Sequence, residues 1–212
     1  MTKDVTGHAI DAERPYFLIV LGTIGLIGTL IGIVGVIVAQ MMVPGHDWIA
    51  DTISDLGAGE NEIIMDVALY AFAAGIFAVA LCGAHAHLGG VGWSGGVAIL
   101  ALLAAAVVVI GARNEYGDGD SDGVVVHIYV VYALGVGFLA APLLMAGGLG
   151  EDSEARRRWL IGLAILWGLS APVFFFLPTS IDGLYERGLG LIACAIIALL
   201  AWTFVQRGRR AL

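Results

Sequence analysis

The chain has 212 residues, of which 59% are hydrophobic and 13% charged, with a net charge of −8 and a mean hydropathy of +0.93. A soluble domain carries roughly 25% charged residues, so the composition excludes a water-soluble fold and points to an integral membrane protein. It also excludes nucleic-acid binding, since no long basic region is present to neutralise phosphates.

Six apolar runs read, in chain order, as membrane-crossing helices over 16–42, 63–84, 91–112, 124–145, 159–176 and 189–204. Each approaches or exceeds the ~20 apolar residues that cover ~30 Å of hydrocarbon. Their length and their Ala, Leu and Gly content favour helix over buried strand, and too little polar sequence remains to clothe a soluble core. The expected fold class is all-α, a polytopic transmembrane bundle of six helices forming a single domain over 1–212. The first run exceeds the ~7–15 residue apolar region of a signal peptide, and no small-x-small step follows Met42, so it reads as a permanent span.

That first run carries Gly22, Gly25, Gly28, Gly32 and Gly35. At ~100° per residue they fall in one sector, with a GxxxG step at Gly28–Gly32. Such a face admits close approach by another helix of the bundle or by a second copy of the chain, a homo-oligomer. Pro142 and Pro172 are expected to kink the fourth and fifth spans, with Ser170 placed to take up a freed carbonyl. Gly147–Gly148 and Glu151–Arg158 read as a linker whose arginine triplet anchors at lipid headgroups. Cys82 and Cys194 lie inside separate spans and read as small apolar packers.

Basic residues are unevenly placed. Lys3, Arg14, Arg156, Arg157, Arg158, Arg207, Arg209 and Arg210 fall on one face, leaving Arg113 and Arg187 for the other. The positive-inside rule then predicts cytoplasmic termini and outward-facing alternate loops, in a multi-pass protein of the cell membrane. Those loops hold Asp47, Asp51, Asp55, Glu60, Glu62, Glu115, Asp118, Asp120, Asp122, Asp182 and Glu186. With one lysine against nine arginines and a pI near 4.9, this acidic surface is halophile-like, of the kind that stays hydrated in high salt.

Candidate chemistry gathers on the outer side. Asp66 is the one carboxylate placed inside a span, where a charge is expensive and functional by default; Tyr70 follows one turn later. His127 opens the fourth span, near Tyr129 and Tyr132, and Glu186–Arg187 precede the sixth. Because the second, fourth and sixth spans all begin at the outer face, Asp66, His127, Glu186 and Arg187 are expected at similar depth. Thr52-Ile53-Ser54-Asp55-Leu56-Gly57 has the spacing of a helix cap or tight turn. Ser54, His127 and an Asp such as Asp55 would make a nucleophilic triad if geometry joined them. Asp118, Asp120 and Asp122 open like a calcium loop, but Tyr129 stands where the bidentate Glu is needed. With His127 they are weak candidate metal ligands; a divalent metal is allowed by these residues and required by none. His85 and His87, two apart on a helix, diverge and make a poor metal pair.

The TISDLG stretch at 52–57, the histidine opening the fourth span and Gly183-Leu184-Tyr185-Glu186-Arg187-Gly188 together resemble the uncharacterised membrane proteins of domain of unknown function family 998. The resemblance covers essentially the whole chain, although Arg113-Asn114-Glu115 stands where the family suggests a Phe-Pro step. It implies a six-helix membrane protein and no settled activity.

Three functions stay open at this point. The leading one is a membrane protein whose outer polar cluster binds a lipid headgroup, an ion or a partner protein. The second is a membrane-embedded lipid hydrolase, with or without a metal. A channel or carrier is disfavoured, because polar residues gather at one end and a conduit needs a path through. Whether the protein is an enzyme is not decided by the sequence.

Overall fold

The computed structural model describes residues 13–57, 61–112, 126–149 and 153–212, and all secondary structure among them is helical. Six helical stretches are long and apolar enough to cross a membrane: 15–42, 63–86, 91–112, 127–149, 154–176 and 182–210. The elements are α1 (Pro15–Met42), the short α2 (Ile53–Leu56), α3 (Ile63–Ala86), α4 (Val91–Ala112), α5 (Val126–Ala146), α6 (Glu154–Ser170) and α7 (Asp182–Arg210). Short 3-10 turns extend α5 over Gly147–Leu149 and α6 over Ala171–Phe176.

Local chemistry sets the ends. α1 starts on Pro15, whose missing N–H costs nothing in a first turn, and stops before Pro44 and Gly45, the latter at φ +76°. Asn61 Nδ2 donates to the Met42 carbonyl at 3.2 Å and so covers part of that end. Ser153 caps α6, its hydroxyl accepting from Arg156 N–H. The arginine triplet therefore lies in the first turns of α6 rather than in a linker, with Arg157 and Arg158 paired to Glu154. The last span likewise begins earlier than the apolar run, because Asp182 to Gly188 is already helical.

Pro142 lies inside α5, whereas Pro172 opens the 3-10 turn that finishes the fifth span. Ser170 Oγ donates back to the Leu166 carbonyl, and Tyr185 Oη of α7 donates to the Ser170 carbonyl at 2.9 Å. These two hydroxyls bring donors to carbonyls beside Pro172 and tie α7 to the end of the fifth span, within a bundle where hydrocarbon offers no others.

Between lipid-exposed helices there is no hydrophobic driving force, so close backbone packing holds the bundle. α1, α3 and α7 pack together as a triad, and α4, α5 and α6 complete a ring, each against its chain neighbours. The glycine face of α1 is used inside this triad. A Cβ on Gly28 would sit 2.4 Å from the Ala71 carbonyl oxygen, and one on Gly35 would sit 2.2 Å from Ala68 Cβ. Gly22 and Gly25 meet α7 in the same way at Ala201. The opposite side of α1, including Val20, Ile27 and Leu30, is exposed to the lipid.

Two ends of the bundle differ in chemistry. At one, Arg207 pairs with Glu13 at 2.7 Å and Arg14 N–H donates to His85 Nε2 at 2.9 Å, joining the start of α1 to the ends of α3 and α7. At the other, the loop face, residues 43–57 fold over the first turns of α3, α5 and α7.

Candidate functional site

A capping box positions the loop's key side chain. Thr52 Oγ1 accepts from Asp55 N–H at 3.2 Å, while Asp55 Oδ2 accepts from Thr52 N–H at 2.6 Å and from the Thr52 hydroxyl at 2.8 Å. This reciprocal pair starts α2. Glu186 on α7 accepts from the Ile53 N–H and fixes α2 against the bundle. Ser54 then projects inward, its Oγ 3.2 Å from His127 Nε2 in the first turn of α5.

Ser54, Asp66, His127 and Glu186 all line one cavity of about 680 Å³, within the ~300–1,000 Å³ of small-molecule sites. It lies among α3, α4, α5, α6 and α7 and is otherwise apolar, with walls that include Leu69, Val107, Phe138, Trp167 and Leu189. Its polar groups collect at the loop face and its apolar walls run toward the membrane interior. Trp167 Nε1 donates to the Gly135 carbonyl at 2.8 Å and ties α6 to α5 across it. Tyr132 and Phe175, with ring centroids 5.0 Å apart, border it on the lipid side, where Val136 and Phe176 are exposed.

Three buried side-chain atoms at the loop face have no hydrogen-bond partner in the protein: Asp66 Oδ1 and His127 Nδ1, whose residues line the cavity, and Asp182 Oδ1 at the start of α7, whose residue does not. His127 is 8% exposed. Buried polar atoms are ordinarily satisfied, and each exception calls for an explanation.

Arg187, one residue beyond Glu186, leaves the cavity and serves a second cluster. Its Nη1 donates to the carbonyls of Asp51 and Gly183, each at 2.9 Å. Nη2 lies 2.7 Å from His46 Nε2, and Nε donates to Gln40 Oε1 at 3.4 Å. Asp51 Oδ2 stands 3.6 Å from His46 Nδ1 and accepts from Asp47 N–H at 2.8 Å. Leu184 N–H donates to the Ile49 carbonyl at 2.9 Å, so the loop docks on α7 by backbone as well. Burial, followed by the Arg187 charge, holds the His46 pKa below its usual 6.5, while Asp51, Asp55 and Asp47 pull it back up.

The structure therefore brings Ser54, Asp66, His127 and Glu186 to one cavity, leaves Asp55 beside it as the α2 cap, and assigns Arg187 to loop docking. His46 and Gln40, which carry no motif or spacing that would single them out, complete the Arg187 cluster. Arg113, Asn114, Glu115, Asp118, Asp120 and Asp122 lie outside the described residues. Among the described residues, no group of three His, Cys, Asp or Glu side chains gathers as a metal ligand set.

A family model described as "Protein of unknown function (DUF998)" matches residues 26–203, from within α1 to within α7. That span takes in every residue lining the cavity. No curated protein and no solved structure matches the chain.

Proposed function

The chain belongs to the DUF998 family, whose description carries no activity, and from the cavity we propose that it is a membrane protein that binds one amphiphile of the bilayer. The chain of that amphiphile lies along the apolar walls between α5, α6 and α7, and its headgroup meets Ser54, Asp66, His127 and Glu186. One observation carries this reading: a cavity of about 680 Å³ inside a membrane bundle is polar at the loop-face end alone. A channel would need polar groups along its length, whereas an amphiphile needs this gradient. The arginine-poor loop face is the outer one by the positive-inside rule, so the occupant comes from the outer leaflet of the cell membrane.

The Ser54–His127 contact favours a second reading, ester cleavage of the bound lipid. In that case His127 Nε2 accepts the Ser54 proton as Oγ attacks the ester carbonyl. The imidazolium then returns the proton to the departing alcohol, and water releases the acid from Ser54. Such a reaction asks His127 Nδ1 to carry its proton and to find an acceptor.

One experiment tests both readings. The protein is purified in nanodiscs made from native membrane lipids, and the lipids retained after exchange are identified by mass spectrometry. Gly135 lines the cavity, and a Cβ there would have nothing within 4 Å, so Gly135→Phe fills the space without a backbone clash. Wild type is expected to retain a defined amphiphile and Gly135→Phe to lose it, with unchanged thermal stability. Equal retention by both would refute the binding reading. Free fatty acid that accumulates with wild type, but not with Ser54→Ala, would establish cleavage.

A further inference from the structure

Resting on the amphiphile reading, we propose that the headgroup held at the loop-face end is a hydrogen-bond-donating cation, a primary ammonium, rather than a phosphate, a sulfate or a quaternary amine. The charge of the lining comes first. Asp66 and Glu186 both line the cavity, and among the described residues no lysine or arginine does. The nearest guanidinium in sequence, Arg187, is engaged with the Asp51 and Gly183 carbonyls. An anion entering here would meet the Asp66 carboxylate and, among the described lining residues, no fixed cation, in surroundings of low dielectric where repulsion is poorly screened.

The unsatisfied atoms say which cation. When His127 Nε2–H donates to Ser54 Oγ, Nδ1 is left as a bare acceptor, and Asp66 Oδ1 is a second acceptor without a partner. His127 is more than nine-tenths buried, so its Nδ1 has little recourse to bulk water. Two buried acceptors on one cavity call for a ligand that brings donors. A primary ammonium brings three and a charge that matches Asp66, while a trimethylammonium brings the charge without the donors. This tautomer is the reverse of the one that ester cleavage needs, so an ammonium occupant makes Ser54 a headgroup contact and not a nucleophile.

The test uses Trp167 in the cavity wall as the one reporter, with Trp48, Trp93, Trp159 and Trp202 replaced by Phe. The full chain in phosphatidylcholine nanodiscs is titrated with ω-brominated dodecylamine, with its trimethylammonium analogue and with the correspondingly brominated dodecyl sulfate, and Trp fluorescence quenching is followed. The amine is expected to quench saturably with an apparent Kd about tenfold below the other two, the equivalent of one charge-assisted hydrogen bond. In Asp66→Asn and in Asp66→Ser the three probes should converge while the chain still binds. Phosphatidylethanolamine added to the nanodisc displaces the amine if the natural ammonium is a phospholipid headgroup, and leaves it bound if the natural ligand is a free long-chain amine. Equal or tighter binding of the trimethylammonium or sulfate probe overturns the ammonium and leaves the amphiphile reading standing. Absence of saturable quenching by every probe overturns both.

Discussion

Glu186 and Arg187 are neighbours on α7, yet they belong to polar clusters of opposite character. Around Arg187 the guanidinium is engaged: two carbonyls, a glutamine and a histidine receive it, and the loop it holds is tied down further by backbone bonds, with Asp182 Oδ1 beside Gly183 the one buried acceptor there without a partner among the described residues. Around the cavity, Asp66 Oδ1 and His127 Nδ1 are buried with no partner. An engaged charge holds a structure together; unsatisfied acceptors on residues that line a cavity cost stability that the folded chain does not recover by itself. The difference separates scaffold from site more sharply than residue type does, since each cluster contains a histidine and carboxylates.

If that distinction holds, the two clusters should respond to mutation with opposite signs. The largest effect is expected at Arg187. Arg187→Met keeps an apolar stem but leaves the Asp51 and Gly183 carbonyls without their donor, and should destabilise by ~3 kcal/mol. In a chain of this size that is a fall of roughly 6–12 °C in Tm. Arg187→Lys should fall between, because an ammonium cannot reproduce the planar fork that reaches several acceptors at once. Thermal unfolding followed by intrinsic fluorescence in nanodiscs measures both. A Met variant as stable as wild type would remove the scaffold half of the contrast.

The opposite sign is expected in the cavity. Asp66→Leu and His127→Phe replace unsatisfied polar groups by apolar ones of similar bulk, and each should raise stability by ~1 kcal/mol in the same unfolding assay while weakening ligand binding. Destabilisation by both substitutions would mean that these side chains support the bundle, and the cavity cluster would then be scaffold as well. Ligand added to wild type should raise its Tm through mass action, and should do so less in either variant.

Much of this arrangement was legible in the chain. The spans follow from apolar length, and the shared depth of Asp66, His127 and Glu186 follows from counting crossings. The TISDLG spacing announced the cap that the structure shows at Thr52 and Asp55. Other features were hidden for physical reasons. The start of α7 was misplaced because Asp182 to Gly188 is too polar to read as a span, yet the docked loop covers it. A Cβ on Gly183 would sit 2.0 Å from the Asp51 carbonyl oxygen, a closeness that no local pattern reveals. The role of Arg187 depends on carbonyls, which every residue possesses and no sequence advertises. The cavity is a property of missing volume: Gly135, Gly168, Gly190 and Ala193 line it from three helices, and only their juxtaposition opens the space.

The smallest effect concerns the pH response of the Arg187 cluster. To accept from Arg187 Nη2 at 2.7 Å, His46 Nε2 must be unprotonated, so the folded state holds the ring neutral. Burial and the neighbouring guanidinium accordingly keep its pKa below 6.5. Above pH 6.5 the ring is neutral in both folded and unfolded chains, and its contribution to stability is fully present. As the pH falls, the unfolded chain takes up a proton that the folded one refuses, and that contribution is lost down through the folded-state pKa. His46→Gln retains an acceptor for Arg187 and removes the titration. Its Tm should therefore fall less steeply than that of wild type between about pH 6.5 and 5. Carboxylate protonation also weakens both proteins in acid, so the slope difference between the two curves isolates the histidine. Parallel curves would show that the ring is already free to protonate, and the Arg187 cluster would then be looser than its distances imply.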